Sequence, residues 1–183
     1  PRLISSAASD VYKRQDRSLL SGLRARAGSR SEALEAIEEA LAEDPTQAAD
    51  WLSYANLLYE EGESSKALDA ADKCLEIDRQ CGGAWALSAT ILAPKQNRLK
   101  EALKAAIHAV ALDSGGVNLV LLKADLLLAD GQVTEAEESL VKSLEKDVMN
   151  GELRARIATR YLLDGRPEDA QSLLDTTCLL YTS

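Results

Sequence analysis

The chain has 183 residues, 21 basic and 30 acidic side chains, a net charge of −9 and a single histidine. That acidity opposes binding to phosphate backbones, which depends on clustered Lys and Arg, and no apolar run approaches the ~20 residues of a bilayer-spanning helix. Its 46% apolar content is mostly Ala and Leu with no Phe, and such strong helix formers predict an all-α chain.

At the N-terminus, the run Asp10 to Gln15 back-translates to GAT GTG TAT AAG AGA CAG. The reverse complement of that DNA, shifted by one base, encodes Cys178 to Thr182. Both ends therefore read as one DNA element in opposite orientations, and the element resembles the mosaic-end adapter of transposase-based sequencing libraries. Residues 1–15 and 178–183 are set apart as adapter-derived tails, which leaves 16–177 for the fold. Dropping Arg2, Lys13, Arg14 and Asp10, three bases and one acid, takes the charge from −9 to −11. The stretch 16–177 opens without a Met and stops inside a repeat, so a parent protein extending in both directions is expected.

Five units of two helices each are predicted, at about 16–47, 48–81, 82–116, 117–150 and 151–177, the last truncated. The second helix of each starts its apolar pattern on an alanine, at Ala33, Ala67, Ala102, Ala136 and Ala170, spaced by 34, 35, 34 and 34 residues. A fixed period of this length signals stacked repeats. A second small-residue series, Ser21, Ala55, Ala89, Ala124 and Ala158, marks the first helices. In the first unit that helix is degraded, with Arg24 where an apolar residue is expected. Gly28, Gly62, Gly131 and Gly165 separate the helices of four units, because Gly readily takes the left-handed conformation that ends a helix. The third unit lacks this glycine and carries one extra residue in its turn, LAPKQNRLKEA. Asp44, Asp78, Asp113 and Asp147 close the first four units.

The second helices repeat one apolar face, as in Ala67, Leu68, Ala71, Cys74 and Leu75, a stripe at helical spacing that must be buried. The first helices carry Trp51, Tyr54 and Leu58, then Trp85 and Leu92, then Val120 and Leu127, then Ile157 and Tyr161. Trp51 and Trp85, 34 apart, are expected in the core rather than on a stacking platform.

With Trp51, Tyr54, Ala55, Leu58, Gly62, Ala67, Ala71 and Cys74, the second unit resembles the tetratricopeptide repeat family, in a degenerate, Ala-rich, bacterial-type form. The resemblance extends over nearly all of 16–177. It departs from the family pattern where Val120 stands for Trp and where the closing Pro survives only as Pro45. It implies an all-α, right-handed α-solenoid of about five helix-turn-helix repeats, and a scaffold that binds a protein or peptide segment in a concave groove lined by the first helices.

Family geometry then places Leu52, Asn56 and Tyr59 in that groove, followed by Ala86, Thr90 and Ala93, by Leu121, Asp125 and Leu128, and by Ala155, Thr159 and Leu162. This lining is small, neutral and apolar. It lacks the Lys, Arg and Asn set with which some family members capture a terminal carboxylate, Asn56 alone matching that chemistry. An apolar or amphipathic segment is the expected ligand, with Leu52, Tyr59, Leu121 and Leu128 supplying contact area and Asn56 and Asp125 hydrogen bonds. Self-association through exposed solenoid ends is also expected. The alternative is the recruiting or regulatory repeat region of a larger enzyme or of an envelope export or assembly machine.

No catalytic residue, cofactor or metal site is expected. His108 is alone on an outer helix face, and Cys74 and Cys81 form a C-x6-C spacing with no second pair, so they read as ordinary thiols. The Glu residues between Ser31 and Asp44 are spaced as the wet face of a helix. There is no dinucleotide loop, phosphate loop or nucleophile elbow. Nucleic acid and membrane insertion are not expected among the partners.

Overall fold

The structure, a computed structural model, describes residues 30–112 and 116–180, with side chains through Leu174. The helix expected in 16–29, with Ser21, Arg24 and Gly28, lies outside the described residues, as do Asp113, residues 1–15 and residues 181–183. Nine α-helices and no strand are found among the described residues: α1 (Arg30–Glu43), α2 (Ala48–Glu60), α3 (Ser64–Ile77), α4 (Gly82–Leu92), α5 (Leu99–Ala111), α6 (Gly116–Ala129), α7 (Val133–Lys146), α8 (Gly151–Leu163) and α9 (Pro167–Leu180).

The chain divides into two compact units, one through Ile91 and one from Leu92. In the first, α1 packs on α2 and α2 on α3. Ala33, Ile37 and Ala40 of α1 meet Leu57 of α2 in a buried cluster, with Leu34 and Tyr54 against it. In the second, α5 packs on α6, and the pairing continues through α7, α8 and α9. Its largest fully buried side chains are Leu140, Leu153 and Ile157. The two alanine series explain how the helices come close. Ala33, Ala67, Ala102, Ala136 and Ala170 are all buried, as are Ala55, Ala89, Ala124 and Ala158. A larger side chain at those points would hold the backbones apart and open voids, at a cost in packing.

The turns within repeats follow from one residue type. Gly62 has φ +84°, and its N–H donates to Tyr59 O at 3.0 Å while Glu63 N donates to Leu58 O at 2.9 Å. This pair of bonds satisfies the last carbonyls of α2, and it needs a left-handed residue at that point. The same pair recurs at Gly131, with Gln132 N on Leu127 O, and at Gly165, with Arg166 N on Tyr161 O. Where the glycine is missing, after α4, a 3-10 turn at Gln96–Arg98 takes its place, closed by Lys95 N on Leu92 O and Arg98 N on Lys95 O. The inserted residue is thus absorbed in a tighter helical turn.

The turns between repeats are held by the aspartate series. Asp44 accepts from Thr46 N at 3.0 Å, and Asp78 accepts from Gln80 N at 2.8 Å. Each carboxylate bonds the backbone two residues on and so directs the chain into the next helix. Asp147 instead accepts from the Asn150 side-chain amide at 3.0 Å, and Asn150 in turn caps α8 by accepting from Leu153 N.

Candidate partner-binding cleft

The first helices are oriented by a recurring side-chain bond. Trp51 Nε1 donates to Pro45 O at 2.8 Å, and Trp85 Nε1 donates to Arg79 O at 3.0 Å. In both cases the acceptor lies six residues upstream, in the preceding inter-repeat turn. The tryptophans are half-buried, so they combine packing with a tether. In the fifth repeat the equivalent residue is Arg154. It is 4% exposed, and its Nη2 donates to Val148 O, again six residues upstream. Arginine has therefore replaced the indole in the same role. Its Nη1, however, is buried without a partner. Arg154 was not among the residues singled out from the sequence. The signal was the repeat register itself, which sets Arg154 under Trp51 and Trp85.

In the first compact unit, Leu52 is half-buried, and a Cβ placed on Gly83 would lie 2.9 Å from its Cδ2. Leu52 therefore packs over the start of α4, and a side chain at position 83 would require the tip of Leu52 to move. Asn56 is exposed and Tyr59 is 39% exposed. Ala86 is half-buried, and the exposed Thr90 donates its hydroxyl to Ala86 O at 2.9 Å. Tyr54, beside these residues, donates to Glu38 on α1 at 3.0 Å.

The second unit brings several of the expected residues together. Asp125 and Leu128 of α6 and Thr159 of α8 line a cavity of about 90 Å³ with Ala124, Ala136 and Leu140. Glu137, Arg156, Arg160 and Leu163 complete it. Ala93 is half-buried, Ala155 is exposed, and Leu162 is 58% exposed; none of the three lines the cavity. Leu121, expected as contact area, is buried at 7% exposure.

The expected lining was neutral, whereas this cleft has an apolar floor and a charged rim. Arg156 Nη2 contacts Asp125 Oδ2 at 2.8 Å, bridging α8 to α6. One turn later, Arg160 bonds Asp164, with Nε to Oδ2 at 2.8 Å. On the α7 side, Arg166 reaches Glu137 at 3.0 Å and Asp169 at 2.7 Å, while its guanidinium carbon sits 4.3 Å from the centroid of the Tyr161 ring. Burial, and then the negative charge of Glu137, hold the Tyr161 hydroxyl above the usual phenol range. Thr159 donates to Ala155 O at 2.8 Å. The cleft can therefore take an apolar side chain on its floor and offer exchangeable ionic partners at its edge.

The remaining chemistry is sparse. Among the described residues, no group of three or more His, Cys, Asp or Glu is placed to hold a metal ion, and no helix is long and apolar enough to cross a membrane. His108 is exposed on α5. Lys123, partly buried on α6, has its pKa lowered by burial and then by the positive charge of Lys142.

No protein-family model matches the chain, and a search of the curated proteins finds no match. Solved structures do match. MamA from Desulfovibrio magneticus RS-1 is 18% identical with a TM-score of 0.75, covering 93% of this chain and 96% of that one. A tetratricopeptide repeat protein from Thermus thermophilus is 21% identical with a TM-score of 0.60 and 89% coverage of both chains. A structure of Naa15/Naa10 bound to HypK matches at 20% identity and a TM-score of 0.69, over 93% of this chain but 26% of that one. These likenesses establish the fold as an all-α solenoid of the tetratricopeptide type.

Proposed function

We propose that this chain is a non-enzymatic scaffold that binds a peptide or partner-protein segment on its first-helix faces. The observation that carries this reading is the cleft between α6, α7 and α8, where Ala124, Leu128, Ala136 and Leu140 form an apolar floor beneath the Asp125 and Arg156 ion pair. Its volume suits one aliphatic side chain. The exposed pair at its rim is worth little to folding, so either partner can turn to a ligand at small cost. The ligand is accordingly an amphipathic segment that seats one Leu-sized anchor beside a charged residue. Further area comes from Leu162 in the same compact unit, which is exposed.

A peptide library displayed on phage, selected against the immobilised full chain, would supply a ligand for titration. Leu128→Ala is expected to weaken binding of the selected peptide by roughly tenfold, the equivalent of ~1.4 kcal/mol. Ile107→Ala, exposed on the second helix α5, is expected to leave it unchanged. Equal effects of the two substitutions would reject the assignment of the cleft.

A second reading is favoured by the match to Naa15, in which a solenoid segment of this length is 26% of a longer chain solved with Naa10 and HypK. Under it, the same cleft serves as the recruiting region of a larger enzyme or an export or assembly machine.

A further inference from the structure

The second and third repeats carry a tryptophan that the fourth lacks. Trp51 and Trp85 stand at one register position, where each indole N–H bonds a carbonyl six residues upstream, and the Arg154 guanidinium fills that position in the fifth repeat. In the fourth repeat the position is Val120. Valine is too small to fill the space of an indole, and a cavity of about 160 Å³ lies against it, between the ends of α5 and α7 and the starts of α6 and α8. Val110, Val117, Val120 and Leu153 give it an apolar wall, and Ser143, Lys146 and Asp147 a polar edge. Exposure of the α7 side agrees with a missing ring. Cys74 and Ala109, which hold the register of Ser143 in the two repeats with a tryptophan, are fully buried, whereas Ser143 is half-buried.

We propose that this cavity is a binding site for an indole-type ring, a flat aromatic bicycle with one N–H donor, which a ligand supplies in place of the missing tryptophan side chain. An apolar cavity of about 150 Å³ is large enough to take up benzene. The cavity beside Val120 has that size, and its edge at Lys146 and Asp147 is exposed, so a ring enters from solvent and keeps its polar atom at the mouth. Asp147 commits Oδ2 to the Asn150 amide, which leaves Oδ1, with the Ser143 hydroxyl, to accept from the ring N–H. Lys146 at the same mouth can set its ammonium over the ring face. Walls of valine and leucine disfavour a sugar or an ion, whose hydration they cannot replace. No residue of this cavity lines the cleft between α6, α7 and α8, so the site is independent of the binding function assigned to that cleft.

The test titrates the full chain against 5-fluoroindole and follows the fluorine resonance, which is expected to shift saturably. Val120→Trp, which restores the residue of the second and third repeats, is expected to abolish the shift, with circular dichroism confirming that the helices remain. Should that variant unfold, Ser143→Ile fills the cavity from the α7 side and is expected to do the same. Leu128→Ala, in the other cleft, is expected to leave the shift in place. The N-methyl derivative of 5-fluoroindole, which lacks the donor, is expected to bind about tenfold more weakly, the equivalent of ~1.4 kcal/mol. N-acetyl-5-fluorotryptophanamide distinguishes the sources: its binding assigns the site to a tryptophan of a peptide, and its failure beside bound 5-fluoroindole assigns the site to a free heteroaromatic molecule. The proposal is overturned if 5-fluoroindole shows no saturable shift up to its solubility, if a folded cavity-filling variant binds it as the parent does, or if the N-methyl derivative binds equally well.

Discussion

Replacing Arg154 by Trp should stabilise the protein. The site holds a guanidinium that is 4% exposed, with one bond to Val148 O and one nitrogen, Nη1, buried without a partner. An orphaned buried donor costs about 1–3 kcal/mol, and replacing a buried charge with a well-packed apolar group is often stabilising. Indole occupies this register position at Trp51 and Trp85, where its N–H bonds the carbonyl six residues upstream at 2.8 and 3.0 Å. The substitution thus keeps the tether, worth ~1 kcal/mol, and removes the orphan. A net gain of about 2 kcal/mol is expected, or roughly 4–8 °C in Tm for a chain of this size. Urea unfolding followed by circular dichroism reads the change as a higher midpoint at constant slope. Arg154→Met separates the terms, since it removes the orphan and the tether together, and it should fall below Arg154→Trp by the ~1 kcal/mol of that bond. A lower midpoint for Arg154→Trp at unchanged slope would refute the reasoning, because it would mean that the fifth repeat has reshaped this position around the guanidinium.

Three further outcomes are expected. Gly131→Ala forces a Cβ onto a residue at φ +80°, with open space around it but a strained backbone, and should cost ~1–2 kcal/mol by the same urea assay. Stability should fall in alkali: burial, then the neighbouring Cys81 thiol, push the Cys74 thiol from 9.0 up to about 12, and burial followed by the bond to Glu38 raises Tyr54. These groups stay protonated in the fold where the unfolded chain has shed its protons, so their contribution is complete below pH 9 and is lost as pH rises toward 12. Urea midpoints for Cys74→Ala should decline less steeply above pH 9 than those of the parent. Finally, Leu162, Leu163 and Leu174 are 58%, 74% and 43% exposed at the C-terminal end, and light scattering should show concentration-dependent self-association that Leu163→Lys reduces; a constant monomer mass at high concentration contradicts this.

The repeat was legible because backbone geometry admits few residues at its critical points. Where helices touch, only a small side chain fits, so the alanine series could be read directly as contact points, and every described member is buried. Where α2, α6 and α8 end, a left-handed residue is required, so Gly62, Gly131 and Gly165 announced their turns. Side-chain reach carries no such signature. Leu121 shares its register with Leu52, and Leu52 packs over Gly83, so this offset also serves packing between neighbouring first helices. An offset read only as groove lining therefore overstated the exposure of Leu121. Arg156 lies one residue past an expected groove position, yet its long stem carries the guanidinium to Asp125 on α6 and turns a neutral lining into a charged rim. Arg154 shows the opposite displacement, a residue type usually found at the surface drawn into the core because its guanidinium can make the bond an indole makes elsewhere. The period fixes where a residue sits, and the length and flexibility of its side chain decide what it touches. The cleft is for that reason less regular than the solenoid that carries it, and its charged rim is built by Arg156 and Arg160, positions where the fifth repeat departs from the others.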